Sequence, residues 1–203
     1  MPQAKRNPSS PLQLVGLDIA GETIRDETDD DFRADWCQQL FRHPAYTTVP
    51  LFTRKMSTPT ESSPYNTLMG RTLFTNDTLR AVKFLYKPPG ENGLDGELLA
   101  LISVGGGMCS HSDTLHGGIN TVLVDEIGGA LANQLIPEPL MAVNLNVNLR
   151  NPVRTPGLIL GRAWIDRRPE GRKVWVKIRL EQNGVTCIES ENLYLKMQPQ
   201  GKL

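Results

Sequence analysis

The sequence predicts an α+β domain in which a curved antiparallel sheet wraps around one long helix. A single long helical pattern covers residues 117–135, where apolar side chains recur at spacings of three and four. Strand patterns separated by turn signals occupy the chain on both sides of this helix. Helices do not alternate with strands, which argues against the strand–helix–strand units of a parallel sheet.

The first 75 residues are predicted to form an extension, and residues 76–203 the domain itself. Residues 1–30 are rich in Pro, Ser and Asp and lack periodicity, which indicates a mobile arm. A polar connector covers residues 57–66. Between them a short amphipathic helix is expected to pack on the domain, because its apolar residues recur every four positions: Phe32, Trp36 and Leu40. The extension either lies over a pocket mouth or covers a sheet edge.

Six segments of the domain have strand patterns. Two apolar segments, 79–86 and 97–104, precede the helix and are separated by Pro-Gly and Asn-Gly turn signals. Four more segments follow the helix: 142–149, 158–166, 173–180 and 185–195. The helix is apolar over most of its surface, so we expect the sheet to curl around it. A long central helix inside a curved antiparallel sheet is the hotdog architecture.

Composition narrows the range of functions. Lys and Arg total 22 and Asp and Glu total 22, so the formal net charge is zero and neither nucleic acid nor an anionic membrane is an expected partner. No run of about 18 apolar residues occurs, so no membrane span is expected. Three cysteines without a CxxC pair indicate reduced thiols inside a cell. We expect a cytoplasmic protein, with the mitochondrion as the other candidate compartment.

The start of the long helix is the strongest candidate for chemistry. Gly117 and Gly118 stand where a loop becomes a helix, and first-turn N–H groups there can bind a thioester oxygen or an oxyanion. Asp125 lies in an otherwise apolar helix, which is costly unless the carboxylate has partners or a function. It lies about 12 Å along the helix from Gly117, too far for both to act on one carbonyl. The spacing therefore predicts a second protomer that contributes its own Asp125.

Three motifs together carry a resemblance to a known family. They are His116-Gly117-Gly118 followed by Asp125, Asn151-Pro152, and Gly171-Arg172-Lys173. This set resembles the HGG-motif, phenylacetyl-CoA thioesterase-like branch of the hotdog-fold thioesterases. The resemblance covers about residues 79–196, and the extension is similar to that of fungal members.

The resemblance implies a role for each matching residue. Asp125 would act as nucleophile or general base, and the backbone N–H of Gly117 would bind the oxyanion. His116 would orient the turn and Gly118 would allow close packing. Further substrate contacts are expected from the helix and from a basic hairpin that would bind the coenzyme A phosphates: Val122, Glu126, Arg172 and Lys173. The family implies a homodimer or homotetramer that acts on an acyl-CoA thioester without a metal or redox cofactor.

Two positions depart from the family pattern. Ser110 stands where relatives often carry an amide side chain beside the oxyanion site. Ala142 stands where relatives commonly place a hydroxyl that positions the attacking water, and Asn144 on the same strand is a candidate to supply a polar group instead. An acyl-thioester hydrolase is the first hypothesis. A non-hydrolytic hotdog enzyme of fungal specialised metabolism, acting on a polyketide-like substrate, and a non-catalytic acyl-binding protein stay open.

Overall fold

The computed structural model describes residues 29–50, 67–91, 93–94 and 96–197. Most of the predicted arm and the whole predicted connector lie outside these residues. Two α-helices are present in the described chain, α1 (Asp35–Arg42) and α2 (Gly117–Leu135). The bounds predicted for the long helix are confirmed at both ends.

A seven-stranded antiparallel sheet forms the body of the domain. Its members are β1 (Thr47–Val49), β2 (Leu79–Lys87), β3 (Glu97–Val104), β6 (Leu140–Leu149), β7 (Gly157–Trp164), β8 (Lys173–Gln182) and β9 (Val185–Lys196). They lie in the order β1-β2-β3-β7-β8-β9-β6, so that β6 forms one edge. A small separate hairpin joins β4 (Cys109–His111) and β5 (Thr114–Leu115).

The long helix α2 packs on one face of this sheet, against β3, β6, β7, β8 and β9. Its buried residues, among them Leu123, Ile127 and Leu131, join the main hydrophobic core. Helix and sheet approach closely, since a Cβ added at Gly161 of β7 would lie 2.5 Å from Ile127 Cδ1. This is the predicted α+β hotdog fold, with the sheet arranged around the helix.

The short helix α1 packs on the opposite face of the sheet. Cys37 of α1 and Phe32 before it join a second buried cluster with Ala81, Leu85, Leu99 and Leu101. β2 and β3 are therefore buried on both faces, which explains their nearly continuous apolar sequence. The predicted packing of the short helix on the domain is confirmed, although the helix begins at Asp35 because Phe32 belongs to a preceding 3-10 turn.

Several short elements were not predicted. β1 and the β4–β5 hairpin have two or three residues per strand, too few for an alternating pattern to be read. β1 pairs with β2 and so the described part of the extension covers that edge of the sheet. The Asn183-Gly184 turn between β8 and β9 has positive φ at both residues, 53° and 77°, as a tight two-residue hairpin requires.

The edge strand β6 is long and carries exposed apolar side chains. It pairs with β9 on one side, and its other side meets no strand within the described residues. Met141, Val143 and Leu149 are 52%, 46% and 58% exposed. A long apolar edge strand favours pairing with another strand.

Candidate active site

The first turn of α2 presents a free backbone donor. His116 precedes the helix and its Nδ1 accepts a hydrogen bond from the Gly118 N–H at 3.0 Å. The carbonyl of His116 accepts from the N–H groups of Ile119 and Asn120. The N–H of Gly117 makes no hydrogen bond to any described residue. It is therefore available to a carbonyl oxygen or an oxyanion.

A cavity of about 310 Å³ opens beside this donor, and we call it the Gly117 cavity. Its lining includes Ser110 of β4, Gly117 and Asn120 of α2, and Leu149 at the end of β6. A Cβ added at Gly117 would lie 3.4 Å from Leu149 Cδ1, so a longer side chain would narrow the cavity. The predicted oxyanion donor and Ser110 thus face one space.

A second cavity of about 180 Å³ lies further along α2, and we call it the Asp125 cavity. Asp125, Glu126, Ala142, Phe84 and Tyr194 contribute to its lining. Gly117 is absent from this lining, and Asp125 is absent from the lining of the Gly117 cavity. The two predicted catalytic groups of one chain therefore face separate spaces.

Asp125 is held by a tyrosine that the sequence analysis did not identify. The hydroxyl of Tyr194 donates to the backbone carbonyl of Asp125 at 3.0 Å. The same hydroxyl oxygen lies 3.4 Å from Oδ1 of the Asp125 carboxylate. Burial raises the pKa of the Asp125 carboxyl, and the hydrogen bond from Tyr194 opposes this rise. Burial also raises the pKa of Tyr194, so its hydroxyl stays protonated near neutral pH.

Tyr194 ends a column of polar side chains on β9. Ser190 Oγ donates to Asn192 Oδ1 at 2.5 Å, and Asn192 Nδ2 lies 3.2 Å from the Tyr194 hydroxyl oxygen. All three side chains are buried and face α2. A signal was present in the sequence, because Ser190, Asn192 and Tyr194 alternate with Glu189 and Glu191, which makes both faces of the strand polar.

The remaining predicted residues on α2 line neither cavity. His116 is the N-cap residue of the helix, and its side chain accepts from the Gly118 N–H. A Cβ at Gly118 would lie 3.1 Å from His116 Nδ1, so Gly118 leaves room for this ring. Val122 is half-buried and packs against the main core.

Asn144 lies on the sheet face that points away from α2. It pairs with Leu193, and directly opposite residues of adjacent strands share a face. The neighbouring Asn192 faces α2, since its Nδ2 donates to the carbonyl of Val124. Asn144 is therefore separated from both cavities by the sheet.

Arg172 and Lys173 lie at the end of the sheet where β6 begins. Arg172 Nε donates to the carbonyl of Lys196 at 2.9 Å, and the Lys196 N–H donates back to the Arg172 carbonyl. Lys173 Nζ lies 5.9 Å from the ring centroid of Trp175. Both residues are exposed and lie outside the Asp125 cavity, at the same end of the sheet.

Residues 113–177 match the model of the thioesterase superfamily. The matched segment contains Gly117, Asp125, β6 and β7. A comparison with curated proteins found no match.

Solved structures with a similar fold include several thioesterases. A phenylacetic acid degradation-related protein from Ralstonia eutropha is 20% identical, with 49% of this chain and 75% of that chain covered and a TM-score of 0.46. A thioesterase from Haemophilus influenzae is 18% identical, with coverage of 59% and 82% and a TM-score of 0.47. A Bacillus halodurans protein crystallised with CoA is 17% identical, with coverage of 57% and 74% and a TM-score of 0.47.

No helix in the described chain is long and apolar enough to cross a membrane. Within the same residues, no group of three or more His, Cys, Asp or Glu side chains is placed to hold a metal ion.

Proposed function

We propose that the protein hydrolyses acyl-CoA thioesters as a homodimer whose two active sites lie between the subunits. The observation that carries this proposal is the separation of two half-sites on α2. The Gly117 N–H, which has no hydrogen-bond partner among the described residues, faces one cavity, and the half-buried Asp125 carboxylate faces another. Eight residues of helix place them about 12 Å apart, so one chain does not supply both groups to one carbonyl.

The edge strand β6 supplies a way to join the half-sites. Ala142, near the start of β6, lines the Asp125 cavity, and Leu149, at its end, lines the Gly117 cavity. Antiparallel pairing of β6 with its copy about a two-fold axis places the start of one strand beside the end of the other. The Asp125 cavity of one protomer then adjoins the Gly117 cavity of its partner.

The chemistry follows from the groups in this composite site. The thioester carbonyl oxygen accepts from the Gly117 N–H, with the Ser110 hydroxyl as a second donor. Asp125 takes a proton from a water molecule whose oxygen bonds to the carbonyl carbon, or it attacks that carbon itself. The tetrahedral intermediate collapses, the carbon–sulfur bond breaks and the thiolate of coenzyme A leaves. In the first route the thiolate takes up the proton that Asp125 removed from water. In the second route the acyl group stays on Asp125 as an anhydride, which a water molecule then cleaves to the free acid and the Asp125 carboxylate. Burial, which raises the pKa of Asp125, makes its carboxylate a stronger base.

The substrate contacts extend beyond the reacting atoms. Val122 and Glu126 on α2 are proposed to contact the acyl portion, and the exposed Arg172 and Lys173 to pair with the coenzyme A phosphates. Both basic residues lie at the end of the sheet nearest the Asp125 cavity. Replacing Arg172 and Lys173 should therefore raise the KM for CoA thioesters more than it raises the KM for a short thioester that lacks the nucleotide.

Free-thiol release from a panel of short, long and aromatic acyl-CoA thioesters tests the proposal. We expect the wild type to release thiol from at least one class and Asp125→Asn to lose about 10²–10⁴-fold in kcat. Asp35→Asn, which makes the same chemical change on the exposed face of α1, should keep wild-type turnover. Full turnover by Asp125→Asn would contradict the proposal.

A second candidate function is favoured by Ala142. This methyl side chain lines the Asp125 cavity, at the position where the family resemblance implies a hydroxyl that holds the attacking water. A non-hydrolytic enzyme of fungal specialised metabolism would use Asp125 as acid and base in a dehydration, cyclisation or isomerisation of a polyketide-like substrate. Ala142→Thr should raise thiol release if water placement limits hydrolysis. If neither the wild type nor Ala142→Thr releases thiol while both are folded dimers, that result would favour the second candidate.

A further inference from the structure

The polar column on β9 has an unusual position in the fold. Ser190, Asn192 and Tyr194 are 6%, 0% and 3% exposed and occupy three successive helix-facing positions of the strand. Most of the core around α2 is formed by apolar side chains, among them Leu123, Ile127 and Ile178. Buried polar groups at such sites cost free energy unless they are fully hydrogen-bonded. All three are hydrogen-bonded here, and the column ends at Asp125.

The hydrogen bonds of Asn192 fix the direction of the column. Its Nδ2 has two protons, which reach the Val124 carbonyl and the Tyr194 hydroxyl oxygen, both at 3.2 Å. Its Oδ1 accepts from Ser190 Oγ. A flipped amide would place Oδ1 against the Val124 carbonyl, where two acceptors would repel each other. Asn192 is therefore a donor to Tyr194.

The proton of Tyr194 must then point towards Asp125. Its oxygen already accepts from Asn192, and its two remaining neighbours, the Asp125 carbonyl and Oδ1, are acceptors. Gly128 leaves space for this arrangement, because a Cβ there would lie 2.5 Å from the Tyr194 hydroxyl. Helix and strand thus meet where the Tyr194 hydroxyl lies 3.0 Å from the carbonyl oxygen of Asp125 and 3.4 Å from its carboxylate oxygen Oδ1, so that one proton is shared between these two acceptors.

We propose that Tyr194 is a positioning residue, which holds the Asp125 carboxylate in its reactive orientation while Asn192 and Ser190 fix its hydroxyl proton. The inference rests on the proposed function, because it assigns a partner to the carboxylate on which that function depends. Asp125 also lines the Asp125 cavity, where water and substrate would bind under the proposed function. Tyr194 itself does not touch the reacting atoms in this scheme.

The role has a consequence for the pH dependence of catalysis. The titratable groups around the Asp125 carboxylate are Tyr194 of β9 and Glu126 of α2, while β2 and β6 contribute Phe84, Leu140 and Ala142 to the cavity. The Tyr194 hydrogen bond lowers the pKa of Asp125 against the effect of burial. Removing it should raise that pKa, so the acid limb of the kcat profile should move to higher pH.

Tyr194→Phe tests the inference. We expect kcat to fall about tenfold at neutral pH and KM to change by less than about twofold. The acid limb of the kcat–pH profile should move to higher pH. Asn192→Leu, which keeps the hydroxyl but removes its donor, should shift the limb in the same direction by a smaller amount. Tyr46→Phe is the matched control, since Tyr46 donates to the Glu97 carboxylate on the other face of the sheet. It should leave kcat and the acid limb unchanged.

The outcomes distinguish a failure of the Tyr194 positioning role from a failure of the proposed hydrolase function. An inactive Asp125→Asn with an unchanged pH profile in Tyr194→Phe would overturn the positioning role alone. Equal changes in Tyr194→Phe and Tyr46→Phe would also overturn it, because they would reflect a general loss of packing. Full turnover by Asp125→Asn would instead overturn the proposed function.

Discussion

At the scale of single residues, Asp125 combines a cost in stability with a proposed role in catalysis. Burial raises the pKa of its carboxyl, so the charged form is less favourable in the folded chain than in the unfolded chain. The contribution to stability is therefore present below the unfolded pKa and is lost as pH rises through the folded pKa. At neutral pH the protein carries this cost, as enzymes often do at catalytic groups.

Asp125→Asn should therefore raise the midpoint temperature of thermal unfolding near pH 7, while it lowers kcat. The neutral amide avoids the cost of burying a charge, and about 1 kcal/mol would correspond to a rise of about 2–4 °C for a domain of this size. The difference between the two proteins should shrink as pH falls and the wild-type carboxyl becomes protonated. Calorimetry at several pH values measures both effects. A lower midpoint for the variant at pH 7 would contradict this reading of the carboxylate.

At the scale of elements, the packing of α2 on β9 depends on which of two adjacent glycines is involved. A Cβ at Gly128 would lie 2.5 Å from the Tyr194 hydroxyl and 3.0 Å from Ile178 Cδ1. A Cβ at Gly129 would meet nothing closer than 3.8 Å. The two positions have the same helical backbone and different neighbours, so they form a matched pair.

Gly128→Ala should lower the free energy of unfolding by about 1–3 kcal/mol, because overpacking outweighs the gain in helix propensity. Gly129→Ala should raise it by up to about 1 kcal/mol, since the added methyl group fits and alanine favours the helix. Urea unfolding of both variants measures the difference. Equal effects of the two changes would contradict the close approach of α2 and β9.

The edge strand β6 is the element on which the dimer depends. Val143→Lys should lower the dimer fraction and the catalytic rate together, because a charge at an exposed edge opposes strand pairing. Val185→Lys is the control, since Val185 is 51% exposed at the start of β9, beside the β8–β9 turn, and pairs with Gln182 of β8 rather than with β6. Analytical ultracentrifugation and thiol release measure the two quantities. A Val143→Lys variant that stays dimeric would place the interface elsewhere.

Sequence reasoning recovered elements whose signals are local. Both ends of α2 were predicted because Gly117 stands where a loop becomes a helix and the apolar spacing of three and four ends at Leu135. The separation of Gly117 and Asp125 also follows from sequence, since helical rise fixes it. The approach of Tyr194 to Asp125 could not be predicted, because 69 residues separate them and the pairing register of β9 brings them together.

At the scale of the whole molecule, the outer face of the sheet is already occupied. α1 covers part of β2 and β3. Across β7, β8 and β9 the same face carries ion pairs, among them Arg162 with Glu181 and Arg167 with Glu191. Such a face gives little apolar area for packing a second sheet. Within the described sheet, β6 is the long edge strand with exposed apolar side chains, so we expect self-association there.

We therefore expect a dimer rather than a tetramer in solution. Two molecules joined through β6 pair the exposed edge that carries Val143 and Leu149, while the ion pairs on the outer face of the sheet disfavour a second interface there. Light scattering coupled to size exclusion should give twice the mass of the chain across the micromolar range. A stable tetramer would show that the outer face forms an interface despite its ion pairs.

Mixing two inactive variants tests the shared active site most directly. Gly117→Pro removes the oxyanion donor, and proline is tolerated at the first helical position after an extended residue such as His116 (φ −58°, ψ 135°). When the Gly117→Pro and Asp125→Asn proteins are mixed in equal amounts and exchange subunits at random, half of the dimers are heterodimers. Each heterodimer has one intact site of two, so the mixture should show about one quarter of wild-type activity. That recovery is the predicted result. No recovery from heterodimers of confirmed composition would contradict an active site built from Gly117 of one protomer and Asp125 of its partner.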